Sequence, residues 1–469
     1  MSSLAEITPG SSVVLARAVP ATLAEHAAVE ETAISPQTLR GGLYLTVRYG
    51  LGVLVSVGNM LVLTWWIGPH DYGLFVTAIG LVTFFSSVAR AGVDTYLVRC
   101  ESDPSPRIYH IAGTLVLGIS AGLICIGVAL TPLLARWLGS SEFVGAYLVL
   151  LVTIPISGLA GVPMAKLDRE LDFRRAASIE LGGQVLGLIA AAVLALAGTG
   201  MWAPVVGQMG GQLFVLVSTY AAIQMPPRLC FDAAEARKML GFGVRLTASL
   251  RTWQLRTLVN PLIVGHLAGP EGVAFVGVAI RIAESLGSIR LAAGRLAIAT
   301  LARLQDRRQQ FSAALRQAQY LQVIILGPLL CGFSLLGPWI VPRVMGMRWN
   351  ASLTVYPFIA AGVLVNSVFN LQASALFVLG RQWAVLRAYA VHVALLAGGS
   401  FSLFSRFGLA GYGGAELLAC AAYALIHRGL PDEVVAAYRK LAPWVALFVL
   451  LLFLPVLHLR LGISQSFIR

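Results

Sequence analysis

The sequence predicts an all-α, polytopic integral membrane protein, and three observations support this fold class. Of its 469 residues, 58% are hydrophobic and 12% are charged, whereas soluble domains have roughly 25% charged residues. The mean hydropathy is +0.80. Apolar stretches of about 20 residues recur along the chain, as membrane-spanning helices require, without the alternating pattern of a membrane barrel. This composition excludes a soluble enzyme, a nucleic-acid-binding domain and a disordered chain.

The N-terminal segment 1–40 differs from the rest of the chain. It contains several glutamates and prolines and no uninterrupted apolar run, so it is not a secretory signal. We expect a polar tail. The cysteines fit no CxxC, zinc or disulfide pattern, and we expect neither a metal nor a cofactor; they are Cys100, Cys125, Cys230, Cys331 and Cys420.

The apolar stretches predict thirteen helices. Six precede a polar linker, six follow it, and one more lies near the C-terminus. The predicted ranges are 43–67, 72–98, 108–131, 143–165, 176–198, 201–221, 241–265, 272–298, 318–341, 352–379, 383–404, 409–427 and 441–459. An all-helical arrangement follows because an open sheet cannot satisfy its backbone groups in lipid.

Basic residues predict the orientation. Of 34 Lys and Arg residues, 20 lie in the tail and in the loops on its side of the membrane, while 6 lie in the opposite loops or at the C-terminus. Because cytoplasmic loops carry the excess of Lys and Arg, we expect a cytoplasmic N-terminus.

The remaining 8 basic residues lie inside the predicted spans, and all are arginines of helices 1, 2, 7 and 8. They are Arg48, Arg90, Arg245, Arg251, Arg256, Arg281, Arg290 and Arg295. An arginine at the helix centre costs about 2.5–3.5 kcal/mol on insertion scales. Arginines near the cytoplasmic interface can extend their heads to water, but Arg251 and Arg281 are too deep for that. A water-filled, arginine-lined cavity accounts for all eight.

Such a cavity favours an anion, since the planar guanidinium binds phosphate or pyrophosphate through two hydrogen bonds. Asp94 and Glu284 are spaced to pair with Arg90 and Arg281 on the same helix. Candidate carriers of a coupling proton or cation are Asp94, Glu180, Glu284 and Glu416. Three amide residues of helix 10 are candidates for binding sugars, with helix packing as the alternative: Asn366, Asn370 and Gln372.

Helices 1–2 and 7–8 also repeat in sequence. Adding 201 to Asn59, Gly68-Pro69 and Ala78-Ile79 gives Asn260, Gly269-Pro270 and Ala279-Ile280. This predicts two six-helix bundles related by an axis along the membrane normal, around a central cationic cavity. The expected parts are a tail (1–40), a first bundle (41–222), a cytoplasmic linker (223–240), a second bundle (241–428), and a last helix with its tail (429–469).

The segment Trp66–Phe75, with Gly68-Pro69 and Tyr72-Gly73, resembles the "LGPxxYGxF" turn of the polysaccharide transporter family. The segment Ala91–Arg99 is similar to the one that closes helix 2 there. These proteins are Wzx-type flippases of the multidrug/oligosaccharidyl-lipid/polysaccharide exporter superfamily. The family often has a basic residue before the turn, where this chain has Trp65-Trp66.

The resemblance implies a transporter and not an enzyme, working by alternating access. Its implied cargo is an undecaprenyl-pyrophosphate-linked oligosaccharide repeat unit, moved to the outer leaflet of a bacterial inner membrane. The product would serve exopolysaccharide, capsule or O-antigen synthesis. The expected partners are this lipid-linked glycan, membrane lipid, and the polysaccharide polymerase and export machinery. The protein is expected to be a monomer and not to bind nucleic acid.

Three alternatives stay open. A peptidoglycan-precursor flippase has the same plan and a cationic cavity, but usually carries two further helices. A drug or cation antiporter would need an acid-lined cavity. A membrane glycan polymerase or ligase typically has a long outer loop. Here, helices long enough to span the membrane leave outer connections of roughly ten residues at most.

Overall fold

A computed structural model describes residues 36–100, 103–288, 290, 301–431, 434 and 438–460. Side chains are described within these ranges except at 36–49, 244–246 and 456–460. The expectations for tail residues 1–35, for Arg295, and for the side chains of Arg48 and Arg245 lie outside this description. Every regular element in the described ranges is helical, which confirms the predicted class.

The described part of the N-terminal half, from residue 36 onward, comprises eight helices. They are α1 Pro36–Trp66, α2 Pro69–Arg90, α3 Val93–Arg99, α4 Pro106–Leu138, α5 Val144–Leu151, α6 Thr153–Arg169, α7 Phe173–Leu196 and α8 Trp202–Ile223. The predicted helix 72–98 is interrupted, because Ala91 (φ 46°) and Gly92 (φ 76°) adopt left-handed backbone between α2 and α3. Hydropathy does not reveal this break, since apolar residues lie on both sides of it.

The C-terminal half follows from residue 233. Its helices are α9 Ala233–Gln254, a 3₁₀ turn Leu255–Leu258, a π-helical turn Asn260–Val264, α10 Gly265–Leu286, α11 Arg308–Val344, a 3₁₀ turn Met347–Trp349, α12 Ser352–Val378, α13 Gln382–Phe407, α14 Leu409–Ala419, a 3₁₀ turn Cys420–Tyr423, α15 Ala424–Gly429 and α16 Tyr438–Arg460. Pro261 lacks an amide proton, which accounts for the irregular turn in the seventh span. The predicted helix 272–298 is interrupted after Leu286, where α10 ends, and its residues 291–298 lie outside the described ranges.

Eleven helical stretches in the described ranges are long and apolar enough to cross a membrane. One of them, Thr247–Leu286, contains two helices separated at Gly269 (φ 65°, ψ −169°). Gly50–Trp66 is a further, shorter apolar helix. Counted separately, these segments amount to the thirteen apolar helices that hydropathy predicts.

The two halves have the same packing pattern. In the N-terminal half α7 packs on α8 and α1, and α6 packs on α8, α4 and α2. In the C-terminal half α13 packs in the same way on α14 and α9, and α12 on α14, α11 and α10. The last helix, α16, packs on α11 and α12 and has no counterpart among the described helices of the first half.

The Gly-Pro turns of the sequence repeat occupy equivalent places. Pro69 is the first residue of α2, and Pro270 follows the non-helical Gly269. Both prolines begin a helix where an unpaired amide is tolerated. We call the end of the molecule with these two turns the turn face, and the opposite end, with the connection 224–232, the linker face.

The halves meet at both faces. At the turn face Gly73 packs directly on the backbone carbonyl of Pro270, and Trp349 donates its indole N–H to the Thr64 carbonyl at 2.8 Å. At the linker face a Cβ on Gly92 would lie 2.7 Å from the Cα of Gly243. The helix ends therefore approach closely on either side of the membrane core.

Candidate functional site

A cavity of about 820 Å³ lies among α1, α2, α6, α7 and α8, and α10 of the other half closes one side of it. Its wall carries serine, threonine and amide side chains among apolar ones. A polar cavity of this size inside membrane-spanning helices is characteristic of a pathway for a polar ligand.

The cavity adjoins an unusually close helix contact between α7 and α8. A Cβ on Gly183 would lie 2.8 Å from the Gly211 carbonyl oxygen, and one on Gly211 would lie 2.6 Å from that of Gly183. Gly187 and Gly207 make the same reciprocal approach. Small residues at such positions let membrane helices touch through their backbones. All four glycines also line the cavity.

Four charged residues line the described wall: Arg90, Glu180, Arg281 and Glu284. Arg90 and Arg281 have exposed side chains and form no ion pair with a described carboxylate. At 1.5 Å per residue, Arg281 lies ~16 Å from the turn face and Arg90 ~31 Å from it. The two guanidinium groups thus occupy different depths of one cavity.

Arg256 has a different environment from the cavity arginines. Its guanidinium lies 2.7 Å from a Glu416 carboxylate oxygen and 3.6 Å from one of Glu284, and it packs over the Trp253 ring. The side chains of Arg256 and Glu416 are only 12% and 4% exposed. The expected pairing of Glu284 with Arg281 on one helix is wrong, because Glu284 turns instead to the buried Arg256.

The other predicted site residues are divided among several places. Arg251 interacts electrostatically with Arg90 and Asp94, and Arg290 does so with Glu284 and Arg256. Within the part of the chain that the structure describes, neither lines the cavity. Asp94 accepts a hydrogen bond from the Thr95 amide at 2.8 Å.

The amide residues that the sequence suggested for sugar binding lie elsewhere. Asn366 donates to the Tyr423 hydroxyl at 2.8 Å, and Gln372 donates to that of Tyr438 at 2.7 Å. The backbone carbonyl of Asn370 accepts from Ser374. Asn366 and Gln372 thus connect elements of the C-terminal half.

A different set of amides lines the cavity: Asn59, Gln184, Gln208 and Gln212. The three glutamines were missed at the sequence level because neutral amides carry no charge signal. A usable signal exists nonetheless. Gln208 and Gln212 are four residues apart on α8, and each follows a glycine of the close contact with α7, so both lie on one helix face.

A polar contact joins the halves at the linker face. The Tyr96 hydroxyl donates to a carboxylate oxygen of Glu235 at 2.8 Å, and the Tyr96 ring packs edge-on against Phe242. Burial, and then the hydrogen bond to Glu235, raise the pKa of Tyr96. This hydrogen bond therefore links α3 of one half to α9 of the other at the linker face.

Comparison with known proteins places these features in context. Residues 62–354 match the profile of a family described as "Polysaccharide biosynthesis protein". The succinoglycan biosynthesis transport protein ExoT of Rhizobium meliloti is 22% identical over 346 residues, which cover 71% of this chain and 68% of that protein. The lipopolysaccharide biosynthesis protein WzxC of Escherichia coli is 21% identical over 383 residues, covering 78% and 76%.

Solved structures share the fold. A lipid II flippase, MurJ, in an inward closed conformation aligns with a TM-score of 0.72 at 12% identity, covering 89% of this chain and 92% of that one. The eukaryotic MATE transporter AtDTX14 aligns with a TM-score of 0.61 at 12% identity, covering 88% and 99%. At these identities the alignments establish a common helical architecture.

Proposed function

Because this chain belongs to the polysaccharide transporter family of the multidrug/oligosaccharidyl-lipid/polysaccharide exporter superfamily, we propose that it is a lipid-linked oligosaccharide flippase. Its cargo is an undecaprenyl-pyrophosphate-linked repeat unit for exopolysaccharide, capsule or O-antigen synthesis. It carries this lipid from the cytoplasmic to the outer leaflet of a bacterial inner membrane. The linker face is cytoplasmic, since the loops on that side hold most of the basic residues.

The observation that carries the proposal is the pair of arginines in the cavity. Arg90 and Arg281 line the same cavity, and neither has a described ion-pair partner. A diphosphate is the ligand class that guanidinium groups bind best. A drug or cation antiporter would instead need unpaired carboxylates. Glu284, which lines the cavity, contacts Arg256, and Glu416, which pairs with Arg256, lies outside the described cavity lining.

The two arginines have successive roles in the proposed cycle. Arg90, nearer the linker face, attracts the pyrophosphate from the cytoplasmic leaflet, and Arg281 holds it deeper in the membrane. The polyprenyl tail stays in lipid while the sugars occupy the aqueous cavity. Several moderate sites suit transport, because one very tight site would retain the cargo.

The moving units in this proposal are the bundles 41–222 and 241–428. They separate alternately at the two faces, where Gly73 meets Pro270 and Gly92 meets Gly243. Arg256 joins α10 to α14 through Glu284 and Glu416, so the C-terminal bundle moves as one body. The candidate sites for a proton or cation that drives the cycle are Asp94 and Glu180, while Glu284 and Glu416 serve the ion pairs with Arg256.

The proposal is tested in the host by deleting the gene. Spheroplasts of the deletion strain should hold the oligosaccharide lipid in a form that a membrane-impermeant glycan-oxidising reagent does not reach. The wild-type gene should restore labelling, Arg406→Ala (an exposed arginine outside the cavity) should restore it equally, and Arg281→Ala should not. Unchanged labelling in the deletion strain would contradict the proposal. Accumulation of lipid II instead would identify a peptidoglycan-precursor flippase.

A further inference from the structure

The amide side chains of the cavity lie within ~18 Å of the turn face, overlapping in depth with Arg281 and well short of Arg90. Taking 1.5 Å per residue from the helix ends, Gln208 lies ~9 Å, Asn59 ~10 Å, Gln212 ~15 Å and Gln184 ~18 Å from the turn face. The arginines begin at about the depth of Gln212 and continue toward the linker face. Asn59, Gln184, Gln208 and Gln212, which we call the amide cluster, thus occupy the turn-face part of the cavity.

Two atoms of the amide cluster have unmet hydrogen-bonding capacity. The side-chain carbonyl oxygens of Asn59 and Gln212 are buried and accept no hydrogen bond from a described donor. An unsatisfied buried acceptor costs roughly the free energy of desolvating it. Because Asn59 and Gln212 also line the cavity, rotation of either side chain toward the cavity would let a donor group of a ligand satisfy its oxygen. Amide oxygens attract neutral hydroxyl or N–H donors and not phosphate, which presents acceptor oxygens.

The sequence repeat shows that the cavity position of Asn59, and not its unpartnered oxygen, is specific to one half. Asn260 is the counterpart of Asn59 in the C-terminal half; it is buried, its side-chain oxygen also lacks a described donor, and its side-chain N–H donates to the Val273 carbonyl at 3.2 Å. Asn59 lines the cavity instead. The same residue type therefore serves helix packing in one half and faces a ligand space in the other.

The close α7–α8 contact fixes the position of the glutamines. Gly207 and Gly211 precede Gln208 and Gln212 on α8, and Gly183 precedes Gln184 on α7. Because these glycines let the two helices touch through their backbones, the glutamines flank the crossing, where they line the cavity. Phe75 and Ile79 of α2 contribute apolar surface to the same cavity, which suits the mixed polar and apolar faces of a sugar ring.

We infer that the amide cluster is a saccharide subsite, separate from the anion subsite at Arg90 and Arg281. It binds hydroxyl and N-acetyl groups of the sugars nearest the pyrophosphate, and it confers preference for the attached glycan. This inference rests on the proposed function, because it identifies where the sugars of the same lipid-linked oligosaccharide bind.

A matched control separates ligand binding from helix packing. Gln322 of α11 is buried, both of its amide side-chain atoms lack a described partner, and it lies outside the cavity lining. Gln322→Leu therefore makes the same chemical change as Gln208→Leu or Gln212→Leu without touching the proposed subsite.

The experiment compares two kinds of lipid. Purified protein in nanodiscs is titrated with short-chain polyprenyl pyrophosphate, and with the same lipid carrying glucose, galactose or N-acetylglucosamine as its first sugar. We expect at least one glycosylated lipid to bind the wild type more tightly than the bare pyrophosphate. Gln208→Leu and Gln212→Leu should each lower the affinity for that glycosylated lipid about tenfold, which corresponds to the loss of roughly one good hydrogen bond. The affinity for the bare pyrophosphate lipid should not change. Gln322→Leu should change neither.

Three results would overturn the inference. If the glutamine variants bind the bare and the glycosylated lipid equally weakly, the amides determine the shape of the cavity and do not bind sugar. If the wild type binds all four lipids with equal affinity, there is no saccharide subsite, and the flippase proposal is unaffected. Failure of the wild type to bind any of these lipids would contradict the flippase proposal as well.

Discussion

Individual arginines differ in what surrounds them, and this determines their roles. The sequence could predict that eight arginines lie within spans, because hydropathy defines the spans. It could not predict that Arg256 is buried between two glutamates while Arg281 faces a cavity. Arg281 and Glu284 are three positions apart on one helix, yet the Glu284 carboxylate contacts Arg256 of another element instead.

The cavity arginines should carry the affinity for pyrophosphate. Replacing Arg281 or Arg90 with alanine removes a charge-assisted hydrogen bond of about 1.5–3 kcal/mol, so the Kd for polyprenyl pyrophosphate should rise roughly 10- to 100-fold. Titration in nanodiscs measures this, with Arg406→Ala as the exposed arginine control. Equal affinity in all variants would exclude these two residues from the anion site.

The buried Arg256–Glu416 pair should govern stability. Glu416→Ala leaves a buried guanidinium without its closest partner, and such losses typically cost about 3–5 kcal/mol. Equilibrium unfolding in mixed micelles measures the change. Glu170→Ala is the control, because the Glu170–Lys166 pair is largely exposed and should contribute about 0–1 kcal/mol.

A double replacement tests the reason for that loss. Arg256→Met combined with Glu416→Leu removes both charges and should recover much of the stability, since burial of apolar groups can replace a buried ion pair. If Glu416→Ala proves as mild as Glu170→Ala, the pair is not the stabilising contact that its geometry indicates.

At the scale of elements, the α7–α8 crossing depends on glycine. Gly211→Ala places a methyl group against the Gly183 backbone, where neither helix can yield without separating. Overpacking of this kind costs typically about 1–3 kcal/mol, and we expect Tm in detergent to fall by a few degrees.

The neighbouring glycine provides the control for that change. A Cβ on Gly210 meets nothing within 4 Å, so Gly210→Ala should leave Tm unchanged or raise it slightly through helix propensity. A similar fall in both variants would show that the crossing does not depend on close backbone contact.

The sequence predicts the number of helices better than it predicts where a helix is interrupted. Apolar length and the Gly-Pro turns indicate thirteen helices, and the described ranges contain them. The break at Ala91-Gly92 was not predictable, because it serves a tertiary contact of Gly92 with Gly243. The amide cluster was missed for a related reason, since only the packing of α1, α7 and α8 brings its members together.

For the whole molecule, the proposed cycle requires the contacts at the two faces to open in turn. Cross-linking the halves should therefore stop translocation. Cysteines at Tyr96 and Glu235, which are in contact, would join the linker face in a background lacking the five native cysteines. A short reducible cross-linker should block transport, and reduction should restore it.

A cross-link within one half is the matched control. His70 and Glu142 lie 2.7 Å apart, are both exposed, and belong to the N-terminal half, so joining them should leave transport intact. Undiminished transport with the halves cross-linked at the linker face would contradict alternating access.

The central claim is tested most directly by reconstituting the purified protein in liposomes and following a fluorescent polyprenyl-pyrophosphate oligosaccharide. Translocation exposes the lipid to a quencher in the external solution. We expect translocation above that of protein-free liposomes in the wild type and in Arg406→Ala, and at least a tenfold slower rate in Arg281→Ala at subsaturating lipid. A wild-type protein that moves the lipid no faster than empty liposomes, with and without an imposed ion gradient, would contradict it.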